Sequence, residues 1–233
     1  MIPGEGMDRK TSRLWLKAFW PATVRVDWHE RVRVVVGAAL GIGLAAISGH
    51  WLAGRWDFAQ AWLVAPLGAS AVLVFGLPAS PLAQPWSVLA GNTLSALFGI
   101  ACVHWFGHDE LSTAVAVSGA IAMMLWLRCL HPPGGAAALL VAQLGISDWH
   151  FAMFPVLLNS AILVLAGLVY NNLTGRSYPH IPMAPPEPSF DTLNVELDAV
   201  LSRHNQIIDI SREDLRTLLE EFDQEVRLHH PKD

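Results

Sequence analysis

Charge is what this sequence lacks. Between Asp57 and Asp109 there is no Lys, Arg, Asp or Glu. From Leu111 to Ser147 the only charged side chain is Arg128, and from Trp149 to Gly175 there is again none. Charged residues make up 15% of the chain and hydrophobic ones 53%, whereas a soluble domain carries about 25% charged residues. Uncharged stretches of this length exclude an ordinary water-soluble domain. They predict an all-α, polytopic membrane helical bundle, because in hydrocarbon each span must satisfy its own backbone. Cysteine is scarce too. Cys102 and Cys129 both sit in apolar segments and form no C-x-x-C pair, so neither a disulfide framework nor a thiolate metal site is expected. No phosphate loop, nucleophile elbow or metal-ligand set is visible. The reading is therefore not an enzyme, with no cofactor, no metal and no nucleic-acid partner. The first apolar run begins near Val34, behind a charged arm with no cleavage site, so no secretory leader is expected.

About six spans emerge from hydropathy: residues 34–53, 59–77, 86–106, 111–130, a short segment 133–147, and 151–170. The short segment falls below the ~20 residues of a full crossing and reads as a half-helix or oblique span. Residues 1–33 carry seven basic and four acidic residues; residues 187–233 carry five basic and twelve acidic ones. The domain plan is then a basic N-terminal arm (1–33), a transmembrane domain (34–177), a proline-rich linker (178–188) and an acidic amphipathic helical tail (189–233). In the tail, Ser211 reads as an N-cap and Leu215, Leu218, Leu219, Phe222 and Val226 as an apolar stripe. Seven Lys and Arg lie before the first span, Arg128 ends the fourth and Arg176 follows the last, while only Arg55 falls on the other side. That asymmetry predicts an inner (plasma) membrane protein with both termini cytoplasmic. Tryptophans near span ends read as an aromatic belt. Gly37 and Gly41 form a G-x-x-x-G that favours close helix packing and a homo-oligomer.

The chain contains a faint repeat. At a shift of 67 residues, Pro66–Val74 falls on Pro133–Val141 with six of nine positions identical, and Asn92 falls on Asn159. Three segments per copy predict a 3+3 inverted repeat with broken or half helices. Proline followed by glycine suits a helix start, so two helices are expected to begin at Pro66 and Pro133 and to approach the midplane from opposite sides. Their free N–H groups and positive dipole ends would hold an anion. The expected substrate-binding residues are His131, Pro132, Pro133, Gly134, Gly135 and Ala136 from one copy. Pro66, Gly68, Ala69 and Ser70 come from the other, with Asn92 and Asn159 as neutral donors. His131 has two readings, a structural cap of the break or a contact to substrate that also carries a proton. Arg128 reads as snorkelling to the interface and Gln84 as a loop constraint.

At His131-Pro132-Pro133 the chain resembles the HPP family of integral membrane proteins, over roughly residues 30–180. Other stretches carry the same resemblance: Pro66–Phe75, Pro78–Pro85, Leu127–Ala136, Pro155–Ser160 and Tyr170–Arg176. The resemblance implies four spans, two fewer than counted above. It also implies nitrite as a substrate class, since plant plastid members are associated with nitrite transport. Bacterial relatives often carry C-terminal CBS domains, and residues 208–226 look like the helix that leads into them. Trp86 and Asn92 depart from the family pattern, which places a basic residue and often a His at those positions.

The function expected from all of this is a transporter or channel for a small inorganic anion, nitrite first. The alternative is a non-transporting membrane anchor or sensor acting through a partner protein.

Overall fold

A computed structural model describes residues 27–56 and 63–181, and within the tail Glu213, Asp214, Leu215, Thr217, Leu219 and Glu220. Most of the basic arm, most of the proline-rich linker and the remainder of the tail, including the Ser211 cap, lie outside the described residues.

The described residues form six helical segments. Helix α1 is Trp28–Trp56. Helix α2 is short, Pro66–Ala71, and widens into a π-helical turn at Val72–Gly76. Helix α3 is Pro85–Phe106 and α4 is Glu110–Trp126. Helix α5 is short, Pro132–Leu144. A π-helical segment, Ala152–Leu157, leads into α6, Leu158–Leu173. Three stretches are long and apolar enough to cross a membrane: Trp28–Ala53, Pro85–Phe106 and Ala152–Leu173. At 1.5 Å per residue, 22 residues span about 33 Å, close to a hydrocarbon core of about 30 Å. Val35, Val36, Leu40, Leu44 and Ile47 of α1 point outward, as do Leu165, Val169 and Leu173 of α6. Such faces suit lipid, and the chain is an all-α membrane protein.

Local sequence accounts for where the helices begin and end. Three of them open on a proline, whose missing N–H would be unpaired in a first turn in any case. Helix α4 is capped by Asp109, whose carboxylate accepts the Ser112 N–H at 2.7 Å. It ends four residues before the expected 130, because Arg128 turns left-handed at φ 53° and Cys129 N–H reaches back to the Met124 carbonyl at 2.9 Å. The second expected span, 59–77, is described as a helix only from Pro66; its first residues are outside the described set.

The repeat is visible in three dimensions. A shift of 67 carries the bounds of α3, 85–106, onto 152–173, the bounds of the last apolar stretch. It carries α2 onto α5 and matches their burial. Pro66 and Pro133 are both buried, Ala69 and Ala136 both exposed, Ala71 and Ala138 both buried, and Val74 and Val141 both buried. The copies run in opposite directions. At one end of the helices the starts of α1 and α3 meet the ends of α2, α4 and α6. There Arg33 donates to the Asn171 side chain (2.9 Å) and to the Phe75 carbonyl (2.7 Å), Tyr178 OH donates to the Ala83 carbonyl (2.9 Å), and Trp86 Nε1 donates to the Leu127 carbonyl (3.3 Å). At the other end α3 and α5 finish beside the starts of α4 and α6, with His104 stacked on Trp149 and His108 against Gly145.

Small residues set the spacing inside this arrangement. Helix α3 packs against α4, α5 and the α6 segment. A Cβ added to Gly134 would lie 2.6 Å from the Gly91 carbonyl oxygen, so α5 rests directly on the α3 backbone. The Gly37–Gly41 pair is used inside the chain, against Phe75, Tyr170 and Leu163. Added Cβ atoms there would sit 2.7 Å from Phe75 and Tyr170 and 2.6 Å from Phe75. Van der Waals contact with these rings occupies that face of α1.

Two outcomes are expected. Gly41→Val should lower the thermal unfolding midpoint in detergent, at a cost of about 1–3 kcal/mol from overpacking, with the particle mass unchanged. In membrane vesicles, single cysteines at Arg128 and Ser177 should be labelled from one face and a cysteine at His150 from the other. The native thiols are buried and give no background.

Candidate functional site: the His131 junction

His131 precedes a proline, and a residue in that position is driven out of the helical region. It adopts φ −141°, ψ 105° at the cap of α5. This extended conformation turns the imidazole into the protein, where it is fully buried. The following Pro132-Pro133 starts the helix at once, and Gly134 allows it to lie against Gly91. The five-residue motif is thus a device for burying an imidazole at a helix start.

Both ring nitrogens have partners. Nδ1 lies 2.8 Å from the Leu82 carbonyl oxygen. A carbonyl only accepts, so Nδ1 carries the proton. Nε2 lies 2.8 Å from Ser70 Oγ, and in the neutral ring it accepts the Ser70 hydroxyl. Asn92 Nδ2 donates to Ser70 Oγ (3.2 Å) and to Ser160 Oγ (3.1 Å). The result is a directed chain, Asn92 to Ser70 to His131 to Leu82. Its links His131–Ser70, His131–Leu82 and Asn92–Ser160 each join one repeat copy to the other.

The chain is made of neutral groups. Asn92 is the eighth residue of α3, about 12 Å along a helix of about 33 Å, so the junction lies well inside the apolar stretch. Among the described residues, the Asn92 Oδ1, Thr93 Oγ1 and Ser95 Oγ atoms are buried without a hydrogen-bond partner. Unpaired polar atoms at such depth are costly, about 1–3 kcal/mol each.

Of the residues expected to bind substrate, the structure brings His131, Ser70 and Asn92 into contact. Asn159 is fully buried on α6 next to Ser160, and Pro66, Pro133 and Gly134 are buried at the two helix starts. Gly68, Ala69, Pro132 and Ala136 lie on exposed faces and Gly135 is partly exposed. The expected supply of free backbone N–H groups needs correction. Leu67 and Gly68 already donate to the Val64 and Ala65 carbonyls (3.0 and 3.1 Å), and Gly134 donates to the His131 carbonyl (2.8 Å). Pro66, Pro132 and Pro133 have no N–H. The very residues that mark the helix starts remove their donors, which leaves few backbone N–H groups unpaired there.

Several contributors were not anticipated from the sequence. Ser160 could be found from its alignment with Thr93 in the repeat. The Leu82 carbonyl carries no signal in the sequence. Arg33, grouped with the basic arm, is instead buried, and Asn171, which receives its guanidinium, donates to the Val74 carbonyl at 2.9 Å. A cation at the end of α2 is favourable against the helix dipole. Gln84 behaves as the expected loop constraint. Its Nε2 donates to the Pro78 and Ser80 carbonyls (3.0 and 2.8 Å), and its Oε1 accepts the His180 N–H (2.9 Å).

His131→Ala should destabilise the folded protein in detergent by about 2–4 kcal/mol, since it strands both the Leu82 carbonyl and the Ser70–Asn92 pair. His131→Asn, which can still donate toward Leu82, should lose less. Thermal unfolding of the purified variants orders them.

The transmembrane-region model of the HPP family matches residues 23–179. Two curated relatives, both described as transmembrane proteins of Dictyostelium discoideum, share 41% and 38% identity with this chain over 126 residues. Those matches cover 50% and 51% of the chain, which spans only 44% and 40% of the relatives' lengths. No solved structure matches. The family match runs from just before α1 to Pro179 and contains every residue of the His131 junction; the chain belongs to the HPP family of transmembrane proteins.

Proposed function

We propose that this protein moves a small inorganic anion across the plasma membrane, with nitrite the first substrate to test and both termini on the cytoplasmic side. The observation that carries the reading is the junction itself. It is a buried polar cluster at the seam between two oppositely directed repeat copies, in helices otherwise packed with Ala, Gly, Leu and Val. Sites of alternating-access carriers lie at such seams, beside broken helices. The buried Ser95 hydroxyl, which has no partner and faces Gly134 of α5, is a donor that an oxyanion would accept near His131. Rocking one copy against the other would break and remake the three inter-repeat links, which exposes the cluster to each side in turn. Nitrite is chosen from the likeness to plastid members of the family.

A non-transporting anchor or sensor is the second reading. It is favoured by the contact of the tail with the end of the membrane domain, His180 Nε2 to Asp214 Oδ2 at 2.7 Å. It leaves the polar seam without a purpose.

In proteoliposomes the purified chain should take up nitrite, and Asn92→Ala, which removes the bonds holding Ser70 and Ser160 in place, should reduce the rate by tenfold or so. If nitrite, nitrate, formate and chloride all fail to move, the transport reading is wrong.

A further inference from the structure

Resting on the transport reading, we infer that His131 picks up one proton for each anion carried, and that the Ser70 hydroxyl is the switch that permits it. The geometry gives both protonation states a complete set of hydrogen bonds. In the neutral state Ser70 O–H donates to Nε2 across 2.8 Å. In the protonated state the Nε2–H donates to the same oxygen, which keeps the hydrogen bond from Asn92 Nδ2. The hydroxyl hydrogen then needs another acceptor, and the Pro66 carbonyl lies 3.4 Å from Ser70 Oγ. One rotation about the Cβ–Oγ bond therefore exchanges the states without moving a heavy atom, apart from some tightening of the long contact. Nδ1–H stays on the Leu82 carbonyl throughout.

The surroundings decide which charge accompanies the proton. Against His131 lie Ser70 from α2, Leu82 from the connector and Gly91 from α3; Pro66 and Asn92 meet Ser70, and Ser160 of α6 meets Asn92. The titratable neighbours are the Cys129 thiol and the exposed Arg128, two and three residues away; Arg33 lies at the far end of α2. Neither α2, the connector nor α3 contains a carboxylate, and neither does the stretch from Trp149 to Gly175. An imidazolium here has no fixed counter-charge beside it on these elements. A bound anion supplies one. Conversely, an anion entering the neutral junction alone would bear the cost of an uncompensated buried charge, which is heavy in a low-dielectric interior. Anion and proton enter together as a neutral pair.

The protons balance as the cycle turns. On the entry side the Nε2 lone pair takes a proton from hydronium and leaves water. The anion enters as the counter-charge of the imidazolium, whose two N–H groups stay on Ser70 Oγ and the Leu82 carbonyl, and accepts from hydroxyl donors. On the exit side the N–H bond breaks to water, the anion leaves, and the Ser70 hydroxyl turns back to Nε2.

The test uses the whole chain in vesicles loaded with a pH-sensitive dye. Protein-free vesicles provide the baseline, because the protonated acid crosses bilayers unaided. An inward nitrite gradient should acidify the lumen by one proton per nitrite, at a rate indifferent to an imposed potassium diffusion potential of either sign. Nitrite movement without acidification, at a rate that tracks the potential, overturns the inference and leaves the transport reading standing. No nitrite movement at all overturns both. Ser70→Ala should cut coupled uptake about tenfold and break the one-to-one ratio, while Ser70→Thr, which keeps the hydroxyl, retains it. Ser70→Ala vesicles that still carry one proton per nitrite would rule out the hydroxyl switch.

Discussion

One buried imidazole, held between a carbonyl and a hydroxyl, ties the two halves of this protein together. The bond from His131 to Leu82 reaches the connector between α2 and α3, and the bond to Ser70 reaches the first turns of α2. Through Ser70 it extends to Asn92 and Ser160. At such buried positions each of these bonds is harder to give up than it would be at a surface. The remaining architecture is arranged around keeping them. Gly91 and Gly134 bring α3 and α5 close enough for the ring to reach, and Gly37 and Gly41 seat α1 against Phe75 and Tyr170.

The connector between α2 and α3 is the second anchor. Its adjacent carbonyls at Leu82 and Ala83 accept from different parts of the fold, one from His131 and one from Tyr178 OH. Gln84 binds the loop to itself and to the backbone of His180, whose ring meets Asp214 of the tail. This proline-rich loop is bonded to itself and to three other parts of the chain. It joins the membrane domain's buried junction to the segment that leaves the membrane.

Much of this was legible in the sequence. The helical class, the short α5, a helix start at Pro66 and another within one residue of the expected Pro133, and the 67-residue repeat all come from hydropathy and proline placement. The importance of His131 came from its position in an apolar run. Less legible was the donor inventory. Sequence reasoning assigned recognition to backbone N–H groups at the helix starts, but proline removes an N–H where it stands, and local turns consume Leu67, Gly68 and Gly134. Arg33 was also misplaced, because charge counting cannot distinguish a solvated arm from a guanidinium capping a helix end.

The sequence by itself determined what is local or periodic. Absence of charge over long runs dictates a lipid environment, proline dictates where helices open, and similarity at a fixed shift dictates two related halves. Only the tertiary structure decided which side chains meet. Ser70 and His131 are 61 residues apart, and Asn92 and Ser160 are 68 apart. Their contacts depend on how closely backbones approach at Gly91 and Gly134 and on the opposite direction of the two copies. Helix packing sets those distances, and no pattern along a single chain segment records them.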